Sequence, residues 1–160
     1  MTQFRVILEH LVRANVEFVV IGGVALVSRG GSRLTNDIDI VYARTPANGD
    51  RLAAALASLH PRLRGAPADL PFFFDARTIK SGLNFTLVCD AGEIDVLGEV
   101  AGIGGYDAAL ALSSVLPIFG FDVRVLDLEG LARSKRAAGR AKDLLDLEMI
   151  EALKREEQGR

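Results

Sequence analysis

Apolar residues recur at Phe4, Ile7, Leu8, Leu11 and Val12 with Arg5, Glu9 and Arg13 opposite, which predicts an amphipathic helix stopped by Asn15. Glu17–Ile21 (EFVVI) is β-rich, ends at Gly22-Gly23 and predicts a buried strand; Val24–Ser28 then reads as a short helix closed by Gly30-Gly31. Asp37–Tyr42 (DIDIVY) alternates and predicts a strand with one polar and one apolar side. Gly49–Leu59 predicts an Ala/Leu-rich helix ended by His60-Pro61, and residues 61–80, which show little period, predict a loop around a short turn. Leu83–Cys89 and Glu93–Leu97 flank Asp90-Ala91-Gly92 and predict a hairpin. Tyr106–Leu116 predicts a helix ended by Pro117, and Phe121–Leu126 (FDVRVL) predicts the last strand. Leu128–Ala138 and Lys142–Glu157 predict two helices separated by Gly139. This order predicts an α+β (α/β) domain over residues 1–160, with a mixed sheet flanked by helices and the C-terminal helices, about 128–157, packed on the core.

Composition narrows the classes. With 160 residues, 49% of them hydrophobic and 25% charged, the chain has the size and balance of one globular domain with its own core. Nineteen Lys and Arg against twenty-one Asp and Glu give a net charge of −2, which argues against a surface given over wholly to nucleic acid but leaves room for a local basic patch. The sole cysteine, Cys89, excludes an intramolecular disulfide, a Cys-x-x-Cys pair and a multi-cysteine zinc site. The absence of tryptophan and an aromatic content of 6% argue against an aromatic platform for bases. The longest apolar run, Phe18–Val27, is about ten residues, too short for a membrane span. Arg5, Glu9 and His10 interrupt the block that a secretory signal needs, so the expectation is a cytoplasmic protein with no membrane partner.

Candidate chemistry gathers in two strands. Asp37 and Asp39 lie two apart in DIDIVY and therefore on one side of the strand. Like charges this close raise each other's pKa unless a cation neutralises them, and their hard oxygens suit Mg²⁺; the same pattern also describes a solvated strand edge. Asp95, in GEIDVLGEV, places a third carboxylate in an alternating strand, with Glu93 its rival by parity. If the two strands are neighbours, three carboxylates supply the ligand set of a two-metal phosphoryl-transfer centre. Gly22-Gly23, at a strand-to-helix turn, allows backbone amides to approach a phosphate or simply makes a tight turn.

Together these residues resemble the nucleotidyltransferase superfamily that includes DNA polymerase β. IGGVALVSRGGSRLTNDIDIVY is similar to its signature of a glycine pair, a short helix and hydrophobic-Asp-hydrophobic-Asp, and EIDVL is similar to the strand bearing its third carboxylate. The finer resemblance is to AbiEii-like toxins of toxin–antitoxin systems, through Arg33-Leu34-Thr35-Asn36-Asp37-Ile38-Asp39 and through Lys135 with Gly139-Arg140-Ala141-Lys142-Asp143-Leu144-Leu145-Asp146-Leu147. The resemblance implies a polymerase-β-like core and transfer of a nucleotide monophosphate from an NTP to a hydroxyl, with release of pyrophosphate. It implies two Mg²⁺ held by Asp37, Asp39 and Asp95, the last favouring deprotonation of the acceptor hydroxyl. Gly22 and Gly23 would cradle the β- and γ-phosphates, and Arg33, Thr35, Lys135 and Lys142 would bind the nucleotide. RNA (a tRNA end) or a protein side chain is the implied acceptor, with an antitoxin or a second copy as partner and small-molecule acceptors known in the wider superfamily. Many members carry Gly-Ser where this chain has Gly22-Gly23, so a phosphate contact must come from backbone amides or another hydroxyl. The alternative is a non-catalytic nucleotide-binding or partner-binding module with the same fold.

Other features have plainer readings. Arg133, Lys135, Arg136, Arg140 and Lys142 form an acid-free stretch that either tracks a phosphate backbone or makes a solvated helix face. Arg33 either faces a phosphate or pairs with Asp37. Asp143 and Asp146, three apart on a helix, are expected to pair with Arg140 or Lys142. Phe72-Phe73-Phe74 predicts a core plug or a subunit contact, and Cys89 a small core residue.

Overall fold

The computed structural model describes residues 1–159 and contains one seven-stranded mixed sheet flanked by seven helices. Helix α1 (Phe4–Arg13) buries Ile7, Leu8 and Leu11 completely and ends before Asn15, which takes a positive φ of 57°. Strand β1 (Phe18–Ile21) is buried along its whole length and runs directly into α2 (Gly22–Ser28). Strand β2 (Asp37–Tyr42) follows, with Ile38 and Ile40 fully buried and Asp37 and Asp39 on the other side. The remaining strands are β3 (Arg62–Leu63), β4 (Asn84–Cys89), β5 (Gly92–Leu97), β6 (Ser113–Ile118) and β7 (Phe121–Leu126), in the spatial order β3-β4-β5-β2-β1-β7-β6. β2 pairs antiparallel with β1 and parallel with β5; β1 also pairs parallel with β7. Val20, Ile40, Val96 and Val125 are all fully buried, so the centre of the sheet is covered by the apolar cluster that includes α1 and α3 (Pro46–Ala57).

Three predicted elements are corrected. Helix α3 begins at Pro46 rather than Gly49, because the Thr45 hydroxyl accepts the Asn48 N–H at 3.2 Å and proline suits the first helical position. Asn48 is itself fully buried: it accepts from the Glu17 N–H at 2.7 Å and donates to the Ala43 carbonyl at 2.8 Å, tying α3 to the ends of β1 and β2. The 61–80 segment is more ordered than its lack of period suggests, for it holds the short edge strand β3 and helix α4 (Ala76–Ser81), capped by Asp75 through the Thr78 N–H at 2.8 Å. Within it Phe74 is a core residue that meets Phe85 edge to face at 5.3 Å, whereas Phe73 is 75% exposed.

The largest correction is at 106–118. Helix α5 stops at Ala111, where the Ser113 hydroxyl donates to the Leu110 carbonyl at 2.7 Å, and Ser113–Ile118 is a strand. The two-residue connection Phe119-Gly120 has positive φ at both positions (51° and 87°), the geometry that folds β6 back on β7 as a tight hairpin. Pro117 is accommodated because β6 is the outer strand of the sheet. Helices α6 (Leu128–Ala138) and α7 (Ala141–Gln158) pack on each other, and α6 also contacts α2 beside the end of β1. Among the described residues no helix is long and apolar enough to cross a membrane.

Candidate active site

The parallel pairing of β2 with β5 sets Asp39 directly opposite Asp95 and Asp37 opposite Glu93. All four acids therefore share one sheet face by parity. Asp37, Asp39 and Asp95 each present a carboxylate oxygen such that the three lie within 4.8 Å of one another. Glu93 is held aside by Asn36, whose Nδ2 donates to Glu93 Oε2 at 3.0 Å. The geometry thus brings together the three aspartates of the sequence pattern and leaves the rival glutamate at the margin.

Electrostatically the cluster is short of positive charge. Burial, reinforced by Asp37 and Asp95, pushes the Asp39 pKa up to about 8, and burial also raises that of Asp95. Asp39 Oδ1 and Asp95 Oδ1 are buried and lack a hydrogen-bond partner. Three converging carboxylates, two of them with an unpartnered oxygen, form a donor set suited to a divalent cation such as Mg²⁺.

The glycine pair abuts this cluster. Gly22 has φ +67°, and a Cβ there would lie 2.1 Å from Asp39 Oδ2. The backbone of α2 can approach the carboxylate this closely only because residue 22 has no side chain. At Gly23 a Cβ would lie 2.9 Å from the Thr35 hydroxyl, so Thr35 occupies the space beside the turn where a serine side chain would otherwise project. The Thr35 hydroxyl donates to the Asp37 carbonyl at 3.0 Å, which ties the turn to the start of β2.

A second charged group lies against the loop before β2. Lys135 of α6 has a side chain only 12% exposed and pairs with Asp146 at 2.8 Å and Asp143 at 3.5 Å. Burial lowers the Lys135 pKa, and its positive charge offsets part of the rise at Asp39. Arg33 pairs with Asp146 and not with Asp37. Asp143, fully buried, binds Arg140 at 2.7 Å as expected, and this guanidinium holds the carboxyl down at about 2. Lys142, the alternative partner, is exposed on α7, and Lys135 pairs with both carboxylates.

Arg64 is the principal residue the sequence pattern missed. It stands just after β3, its backbone N–H bonded to the Thr86 carbonyl at 3.0 Å, in the segment with no period. Its guanidinium reaches Asp95 at 3.0 Å, and Asp37 and Glu93 at 3.7 Å each. An arginine outside any motif gives no signal of this kind, because only the pairing of β3 with β4 brings it beside β5.

This mixed sheet with its flanking helices is a nucleotidyltransferase fold, as comparison with solved structures shows. The lincosamide antibiotic adenylyltransferase LnuA, solved with lincomycin bound, superposes with a TM-score of 0.61 at 14% identity, covering 96% of this chain and 98% of that one. ANT(2")-Ia in complex with adenylyl-2"-tobramycin gives a TM-score of 0.57 at 18% identity over 94% and 91% of the two chains. An antigenic nucleotidyltransferase-like protein from Paracoccidioides brasiliensis gives 0.52 at 18% identity, over 96% and 77%. Neither a family model nor a curated protein sequence matches the chain.

Proposed function

We propose that this chain is a Mg²⁺-dependent nucleotidyltransferase that moves a nucleotide monophosphate from an NTP to a hydroxyl. The observation that carries the reading is the convergence of Asp37, Asp39 and Asp95 within 4.8 Å, with Gly22 pressed against Asp39, in a nucleotidyltransferase fold. Asp37 and Asp39 would hold both metal ions and Asp95 the second. Bound Mg²⁺ would neutralise triphosphate charge and make the acceptor hydroxyl easier to deprotonate. The Gly22 and Gly23 backbone binds the β- and γ-phosphates, with the Thr35 hydroxyl in the place of the missing serine. Lys135 and Arg33, positioned by Asp143 and Asp146, bind the triphosphate, and Lys142 is a further cation for it on the exposed side of α7. The hydroxyl oxygen forms a bond to the α-phosphorus as the bond to the β-phosphate oxygen breaks; pyrophosphate leaves, and the hydroxyl proton departs to solvent with Asp95 favouring its loss. Catalysis is then chiefly positioning and charge neutralisation.

The acceptor is RNA, including a tRNA end, or a protein side chain, with the chain acting in the cytoplasm as the toxin of a toxin–antitoxin pair. The likeness of residues 33–39 and 135–147 to AbiEii-like toxins supports this reading. A small-molecule hydroxyl is the second reading, supported by the fold neighbours solved with lincomycin and with adenylyl-2"-tobramycin. Incubation with each α-³²P-labelled NTP, Mg²⁺ and total RNA, cell lysate or a small-molecule extract, beside an Asp37→Ala/Asp39→Ala variant, decides both questions. Label transferred by the wild type alone establishes the activity, and the fraction that carries it identifies the acceptor. Metal-dependent NTP binding without transfer would instead point to the non-catalytic module or to a missing partner.

A further inference from the structure

We infer that Arg64 is a built-in counterion that competes with divalent metal for the third carboxylate, so that metal loading of the site is gated by displacement of its guanidinium. The inference rests on the metal-site reading above. One guanidinium spans two of the three converging aspartates and the neighbouring Glu93, at 3.0 Å from Asp95 and 3.7 Å from Asp37 and Glu93. It is the only cation with an ion pair to any of the three aspartates among the described residues. A guanidinium and a divalent ion drawing on the same Asp95 oxygen repel each other at short range, so both cannot be held there at full strength.

The character of the contacts suits exchange. Asp95 Oδ1 has no aligned hydrogen-bond donor although Nη2 is 3.0 Å away, and the Arg64 Nε–H is buried without an acceptor. The directed bond of the guanidinium is to the Leu87 carbonyl, at 2.8 Å from Nη2. Arg64 is thus anchored to backbone and attracted to the carboxylates mainly by charge. Losing Asp95 to a metal therefore costs the guanidinium no aligned hydrogen bond to that carboxylate. In the metal-free protein the same residue offsets part of the repulsion among the acids, which accounts for a half-buried arginine on a two-residue edge strand's flank.

Mn²⁺ binding to the full chain, read by loss of its free-ion electron paramagnetic resonance signal, tests this directly. Arg64→Ala is expected to bind Mn²⁺ about tenfold more tightly than wild type. Arg62→Ala, with the same change in net charge but an exposed neighbouring side chain, is expected to bind like wild type. Arg64→Gln, which retains a donor for the Leu87 carbonyl, is run in parallel and is expected to follow the alanine variant even if that one folds poorly. Wild-type or weaker affinity in the Arg64 variants overturns the competition while leaving the metal site intact. Failure of wild type and both Arg64 variants to bind Mn²⁺ overturns the metal-site reading and the gate with it. A purely structural Arg64 would lower Tm without tightening Mn²⁺ binding.

Discussion

At the scale of single residues, the site depends on how closely backbone and carboxylate can approach. Gly22 is constrained twice, by its φ of +67° and by Asp39 Oδ2 in the space a Cβ would fill. Gly22→Ala is therefore expected to lose about 2 kcal/mol of stability through left-handed strain and crowding, and to lower nucleotidyl transfer by about 100-fold as Asp39 is displaced. Gly120→Ala separates the two effects. Gly120 has φ +87° with no atom within 4 Å of an added Cβ, so its variant should lose stability and keep activity. Urea unfolding together with the label-transfer assay checks both, and an active Gly22→Ala enzyme would contradict the role given to this turn. The period of DIDIVY put Asp37 and Asp39 on one face, whereas in GEIDVL period left Asp95 and Glu93 as rivals and only the family resemblance favoured Asp95. Arg64 and the Thr35–Gly23 contact were not legible, because neither has a local pattern and each is created by chain segments far apart in sequence.

At the scale of elements, α6 and α7 are joined to the site by buried charge rather than by apolar packing alone. Asp143 and Asp146 are almost wholly buried, and they orient Arg140, Lys135 and Arg33. The carboxyl of Asp143 titrates near about 2 in the fold, below the roughly 3.9 of an unstructured chain. A depressed folded pKa stabilises above the unfolded value, and that contribution disappears as pH falls through the folded one. Asp143→Asn is expected to melt roughly 5 °C lower than wild type at pH 7, with the two melting curves converging between about pH 4 and about pH 2. Parallel pH dependences in a thermal-denaturation series would show that the carboxylate does not hold these helices. The helical spacing of 128–138 and 142–157 was readable from sequence, and so was the Arg140–Asp143 pair. The partners of Asp146 were not, since Lys135 and Arg33 reach it from another helix and from a loop.

At the scale of the whole molecule, the carboxylate cluster opens at the sheet surface, with Asp37 and Asp95 side chains 33% and 22% exposed. We expect a second copy or a partner protein to complete the site. Light scattering coupled to size exclusion should then report at least twice the 17.2 kDa chain mass, or activity should rise when a captured partner is added. A monomer that captures no neighbour and still turns over at full rate excludes this assembly.

Local pattern was enough for most elements because helical and strand periods are written in adjacent residues, and α1, β2, β7, α6 and α7 form where their periods put them. It failed at β6, where Leu110, Leu112, Val115 and Leu116 also satisfy a helical period; the Phe119-Gly120 turn and the β7 neighbour selected the strand. By itself the sequence determined that Asp37 and Asp39 share a face and which acids were candidates to join them. Only the tertiary structure decided that Asp95 rather than Glu93 joins them, that Arg64 offsets part of their charge, and that Lys135 pairs with Asp143 and Asp146. The reason is physical: parity along one strand is local, whereas the distance between two strands depends on sheet order, and sheet order is settled by burying one apolar core.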